Sequence, residues 1–91
     1  MKTTIYKYDL KIVGQNLLSA PAGAIPLSVQ AQLGKVVMWM QVDLDKKEQG
    51  RSFRFYGTGH AMPEYPGKYV GTVQLFDDGT VWHLYDQSGG T

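Results

Sequence analysis

The chain has 91 residues, a formal net charge of +1 and no cysteine. That length gives one domain whose core is real but marginal for a monomer, and the missing thiols exclude disulfide staples, a thiolate nucleophile and a cysteine zinc site, which fits a reducing compartment. So small a charge argues against a broad basic surface for polymeric nucleic acid, yet it leaves room for a small anion held by a few converging donors.

The opening run Met1-Lys2-Thr3-Thr4-Ile5-Tyr6 lacks the apolar stretch of a signal peptide, and nothing approaches a membrane span. The expectation is a soluble, cytoplasmic protein with no membrane partner. Thr4 to Val13 alternates, with Tyr6, Tyr8, Leu10 and Ile12 on one side and Lys7, Asp9 and Lys11 on the other, which predicts a half-buried strand. After the Gly14-Gln15-Asn16 turn, Leu17 to Ala24 reads as a short strand closed by a Pro/Gly turn.

Ile25 to Leu44 predicts a hairpin whose register follows from its pattern. A two-residue Leu33-Gly34 loop pairs Ala31 with Val36, Val29 with Met38, Leu27 with Met40 and Ile25 with Val42, all apolar and all on one face. Leu33 suits the positive φ of a type I′ turn poorly, so a four-residue loop of the same parity remains open. The other face carries Val37 and Trp39 among glutamines. Trp39 there is either covered, buried at a subunit contact, or a stacking platform for a flat ligand. Asp43 to Gly50 reads as an exposed charged connection; Asp43 and Asp45 are followed by lysines, which argues against a metal loop.

Arg51 to His60 is the stretch richest in chemistry. Phe53 and Phe55 alternate with Ser52, Arg54 and Tyr56, a strand with an apolar face and a cationic-aromatic face, and the strand breaks into Gly57-Thr58-Gly59-His60. Arg51 and Arg54 suit bidentate contacts to phosphate, and free N–H groups of the glycine turn would add donors. Tyr56, Trp39 and Tyr85 are candidates to stack on a base, and Gln30, Gln32 and Gln74 to read its edge. The bland alternative is a solvated strand face ending in an ordinary turn. Ala61 to Gly67 is a proline-broken loop able to fold back over that turn. Lys68 to Asp86 predicts a second hairpin, with Asp78-Gly79 as a two-residue turn that pairs Leu75 with Trp82, Val73 with Leu84, Gln74 with His83 and Thr72 with Tyr85.

The chain is therefore predicted to be all-β: an antiparallel sheet of five or six strands, built from two hairpins plus an N-terminal strand, closing into a small barrel or sandwich. Residues 1–87 form the domain, and 88–91 a flexible tail. Catalysis is poorly served, because His60 and His83 match no zinc spacing and Thr58 with His60 lacks an orienting carboxylate. No metal, no cofactor and no enzymatic role are expected. A ligand with two bases and two phosphates would suit a site duplicated across a symmetric dimer.

Three groups of residues carry a resemblance over nearly the whole chain. They are Lys2 to Tyr8 with Leu27 to Gln32 and Trp39; Phe53 to His60 with Pro63; and Tyr69 to Gln74 with Val81-Trp82-His83. In these the chain resembles a family of small phage-encoded proteins marked by Tyr56-Gly57-Thr58-Gly59-His60, a family similar to the viral nucleotide sponges that oppose CBASS, the bacterial cyclic-oligonucleotide defence. Leu33 departs from the more usual polar residue at that turn. The resemblance implies a phage protein of the infected host's cytoplasm that assembles as a homo-oligomer, dimer or tetramer. It also implies sequestration of a cyclic dinucleotide such as cyclic GMP–AMP without cleavage, with Arg54, Tyr56, Thr58 and His60 at or near the ligand. The full candidate set is Arg51, Arg54, Tyr56, Gly57, Thr58, Gly59, His60 and Trp39. Two alternatives stand beside it: a module that blocks a host protein with its Trp/Tyr face, and a small phosphodiesterase using His60 or His83.

Overall fold

The computed structural model describes residues 1–88. It is all-β, with strands β1 (Thr3–Leu10), β2 (Gln15–Pro21), β3 (Ile25–Gln32), β4 (Lys35–Asp43), β5 (Glu48–Gly57), β6 (Lys68–Gln74) and β7 (Val81–Asp86). Among the described residues these form two antiparallel sheets rather than one closed sheet: three strands in the order β1-β4-β3, and four in the order β2-β5-β7-β6. Of the two arrangements expected, barrel or sandwich, the two separate sheets exclude the closed barrel and fit the sandwich, and the strands number seven rather than five or six. Both predicted hairpins are present, as β3–β4 and β6–β7.

Parity explains the layering. Val36, Met38, Met40 and Val42 point inward from β4, and Val29 joins them from β3; Phe53, Phe55, Val73 and Leu84 point inward from the second sheet, and all are buried in one cluster. The sheets face each other over this single core in a sandwich-like arrangement. They come closest where β3 meets β6, because a Cβ on Gly71 would stand 2.9 Å from Val29 Cγ1.

The first hairpin keeps the predicted register from Gln32 paired with Lys35 to Ser28 paired with Trp39. A bulge at Leu27 then shifts it, so that Pro26 faces Met40 and Ile25 faces Gln41 instead of the expected Gln41 and Val42. The turn is the two-residue form, with Leu33 at φ 51° and Gly34 at φ 81°. A left-handed non-glycine residue costs about 1–2 kcal/mol, and the Leu33 side chain is 98% exposed, so no packing offsets that cost. Leu33→Asn should stabilise the domain by roughly 0.5–1 kcal/mol, seen as a rise in urea midpoint with the slope unchanged.

The second hairpin is corrected by two residues. Val73 pairs with Trp82 and Thr72 with His83, and the loop is the four residues Phe76 to Gly79, closed by Leu75 N–H to the Thr80 carbonyl at 2.9 Å. Only Gly79 takes positive φ (72°). Asp78 instead accepts from the Thr80 N–H (2.9 Å) and hydroxyl (2.7 Å), two residues on, inside a four-residue loop rather than a type I′ turn centred on Asp78-Gly79. A slip of two preserves the faces but changes every cross-strand partner.

Asp43 closes a local turn rather than a metal loop, its carboxylate accepting the N–H groups of Asp45 (3.0 Å) and Lys2 (3.4 Å). Ser88, assigned from sequence to the tail, is tied down: its hydroxyl bonds the Ser52 backbone and the Asp86 carboxylate. The rest of that tail, residues 89–91, lies outside the described residues. Among the described residues no helix is long and apolar enough to cross a membrane.

Candidate functional site

β5 supplies most of the predicted residues, and strand parity divides them. Arg54 and Tyr56 fall on the outer face of the four-stranded sheet, and Arg51 on the inner face with Phe53 and Phe55. An i to i+3 step along a strand reverses the face, so the two arginines cannot converge on one phosphate. The Arg51 guanidinium is spent inside: it donates to the Asp86 carboxylate and to the Ala24 carbonyl, each at 2.8 Å, and lies 5.6 Å from the centre of the Phe53 ring. The side chains of Arg51 and Asp86 are only 11% and 10% exposed. Burial alone would raise the Asp86 carboxyl; hydrogen bonds from Ser88 and the Arg51 guanidinium outweigh it and hold the group below its usual range. This is a structural ion pair.

The Gly57 to His60 segment is a turn closed by His60 N–H to the Gly57 carbonyl at 3.0 Å, with Gly59 at φ 85° as the third residue, the geometry a type II turn requires. Thr58 N–H donates to the Val81 carbonyl at 3.1 Å. Two of the turn's N–H groups are therefore consumed internally, and the expected nest of free donors is not formed. The His60 imidazole folds back over Gly57, where a Cβ would stand 2.7 Å from His60 Cε1, and meets the Trp82 ring edge-on at 5.4 Å. His60 with Gly57, Thr80 and Trp82 lines a shallow cavity of about 300 Å³ at one end of the sandwich.

Thr58 turns the opposite way, toward the outer face. Its Oγ1 lies 2.8 Å from His83 Nε2, and Thr72 Oγ1 lies 3.0 Å from His83 Nδ1, so the imidazole is held on both nitrogens by hydroxyls. Tyr69 Oη continues the chain to Thr72 Oγ1. Sequence reasoning set Thr58 beside His60; the fold pairs it with His83, twenty-five residues on.

The outer face of this sheet is ordered in rows. One row runs Gln15, Arg54, Tyr85, Tyr69, and the next runs Tyr56, His83, Thr72. Tyr85 makes edge-on contacts with both Tyr56 and Tyr69 at 5.7 Å between ring centres. Tyr56 is buried and its hydroxyl accepts from Gln87 at 3.2 Å, so it props Tyr85 rather than offering its own face. Tyr69 is exposed, Tyr85 half-buried, and Arg54 exposed beside Tyr85. The face thus presents a guanidinium, two accessible rings and a relay of hydroxyl and imidazole groups. Such a set can neutralise a phosphate, stack a base and hydrogen-bond a sugar or base edge.

Trp39 stands elsewhere. It lies on the outer face of the three-stranded sheet, between Lys7 and Ser28, so within one chain it cannot share a ligand with Arg54. Tyr69, Thr72 and His83 were absent from the candidate set. The signal that locates them is the four-residue reading of the Phe76 to Gly79 loop, which sets Thr72 opposite His83.

No curated protein and no solved structure is similar enough to this chain to count as a match. Residues 1–90 match the model of a family described as a domain of unknown function, DUF7352. An all-β chain with a tyrosine-histidine face on its larger sheet, it belongs to the DUF7352 family.

Proposed function

We propose that the protein binds a cyclic dinucleotide, such as cyclic GMP–AMP, on the outer face of the β2-β5-β7-β6 sheet and sequesters it without cleavage. In this reading it is a phage immune-evasion protein acting as a homo-oligomer in the infected cell's cytoplasm. One observation carries the proposal: Arg54, Tyr85 and Tyr69 stand in a single row, next to His83 held between Thr58 and Thr72. Adjacent strands are about 4.8 Å apart, so the row runs from a phosphate-binding guanidinium to two rings within the span of one nucleotide. The phage setting comes from the sequence resemblance, and the binding chemistry from the row.

The experiment is calorimetry against a panel of cyclic di- and trinucleotides, followed by recovery of the ligand after heat denaturation. Binding with intact ligand recovered supports sequestration. Cleaved ligand transfers the reading to a phosphodiesterase, with the Thr58–His83 contact as nucleophile and base; no binding to any member overturns the proposal. One observation favours a second reading, a module that blocks a host protein: Trp39 has exposed Ile5, Ile25 and Leu27 around it. There Trp39→Ala would abolish activity and Arg54→Ala would leave it intact.

A further inference from the structure

β1 is an edge strand with nothing beside it among the described residues. Leu44 N–H donates to the Lys2 carbonyl at 2.8 Å, and the register runs Thr4 to Val42, Tyr6 to Met40 and Tyr8 to Met38. The even residues of β1 therefore carry the hydrogen bonds to β4. Thr3, Ile5, Lys7 and Asp9 direct their N–H and C=O groups to the open edge. Edges of this kind are usually blunted by proline, a bulge or a covering segment. β1 lacks all three, holding no proline and pairing with β4 without a register shift over all eight residues; its one guard is charge, Lys7 and Asp9, and these two signs complement each other. The other three edge strands are each interrupted: β2 ends in Pro21 and is shorter, β3 holds Pro26 and a bulge, and β6 shifts register between Tyr69 and Gly71.

The side chains at this edge are self-complementary. Lys7 and Asp9 lie on the same outer face with opposite charges, each held only loosely on the surface: Lys7 Nζ stands 3.3 Å from Gln32 and Asp9 3.9 Å from Lys35. Tyr6 and Ile5 are 43% and 57% exposed, although Tyr6 sits on the core-facing side of its strand, where its ring meets Tyr8 at 6.4 Å.

We infer that β1 pairs antiparallel with β1 of a second copy of this chain, joining two three-stranded sheets into one of six strands. The two-fold axis falls at Tyr8, so that Lys7 of each copy stands opposite Asp9 of the other and Tyr6 opposite Leu10. Centring the axis on Lys7 would oppose the two lysines, and centring it on Tyr6 would leave both charges facing uncharged residues. In the chosen register the outward-facing odd residues bond one another, as the ladder requires. The contact shares no residue with the Arg54–Tyr85–Tyr69 face. It gives a geometry to the homo-oligomer of the proposed function, so a monomeric wild type removes that assembly, while ligand binding on the face is read separately by calorimetry.

Lys7→Pro is the decisive variant. The Lys7 N–H faces the open edge, so proline there spares the β1–β4 bonds while removing an edge donor. In sedimentation velocity at tens of micromolar the wild-type chain should run as a dimer, or as a multiple of dimers, and Lys7→Pro as a monomer with an unchanged circular dichroism spectrum. A monomeric wild type, or a Lys7→Pro that assembles as before, overturns the inference. Should Lys7→Pro fail to fold, charge reversal decides: Lys7→Asp and Asp9→Lys should each loosen the dimer by about tenfold or more, and the double exchange should restore it. A double exchange no tighter than the single variants, or singles as tight as wild type, contradicts the pairing.

Discussion

Asp86→Ala should cost about 3–5 kcal/mol of folding stability, the range for stranding one member of a buried ion pair. The Arg51 guanidinium would remain inside the sandwich with only the Ala24 carbonyl and the Phe53 ring as company. Ser88 would lose the acceptor of its N–H at 2.9 Å and its hydroxyl at 2.8 Å, loosening the end of β7 from Ser52. Replacing both ions, Arg51→Met with Asp86→Leu, should recover part of the loss, because the cost lies in the unpaired charge rather than in missing attraction. Urea melts of the two variants against wild type measure both effects. The pH dependence has a definite sign. The folded Asp86 carboxyl titrates below its unfolded value of about 3.9, so its contribution is full above about pH 4 and is lost as pH falls below that toward the folded value. Between pH 6 and 3 the urea midpoint of Asp86→Asn should fall less steeply than that of wild type; parallel curves would show that this carboxylate contributes nothing to acid sensitivity.

The second large effect concerns the ligand. Arg54→Ala should weaken cyclic-dinucleotide binding by about 10- to 150-fold, the value of a charge-assisted hydrogen bond to phosphate of about 1.5–3 kcal/mol. Tyr85→Ala should lose a comparable amount, since one stacked base is worth about 1–3 kcal/mol and the same change removes the support Tyr85 gives to Tyr69. Trp39→Ala, on the other sheet, should leave affinity unchanged. Arg51→Ala should lower stability without a matching loss of affinity when both are compared at a temperature where each is folded, because its guanidinium is turned away from the face. Calorimetry on the four variants separates these cases. An Arg54→Ala protein that binds like wild type would show that the row is not the site.

What could be read from the sequence was what period-2 alternation encodes. The strands, their inward residues and the first hairpin's register near its turn all follow from which positions are apolar, and Phe53, Phe55, Met38 and Met40 are buried as their spacing predicts. The pattern has no means of placing the bulge at Leu27 or the width of the Phe76 to Gly79 loop. A bulge adds one residue without changing composition, and Asp78-Gly79 serves two loop lengths with the same letters. The site was half legible for the same reason. Arg54 and Tyr56 share the outer face as expected, and Thr58 joins them there through His83 instead of siding with His60. Arg51 was grouped with them by proximity in sequence, where parity alone would have set it on the far side. His83 and Tyr69 come to the face through cross-strand pairing, which one strand's letters do not contain. Trp39 falls on a different sheet from Arg54, which one strand's letters do not reveal, because sheet membership is a long-range property: β4 and β5 are consecutive in sequence yet belong to different sheets.

The most direct test of the ligand face is a titration of isotopically labelled protein with cyclic GMP–AMP, followed by backbone amide resonances. The row predicts shifts gathered at Arg54, Thr58, Tyr69, Thr72, His83 and Tyr85, saturating at a fixed ligand-to-chain ratio. Resonances that move instead around Trp39, or that stay fixed at saturating ligand, would contradict it.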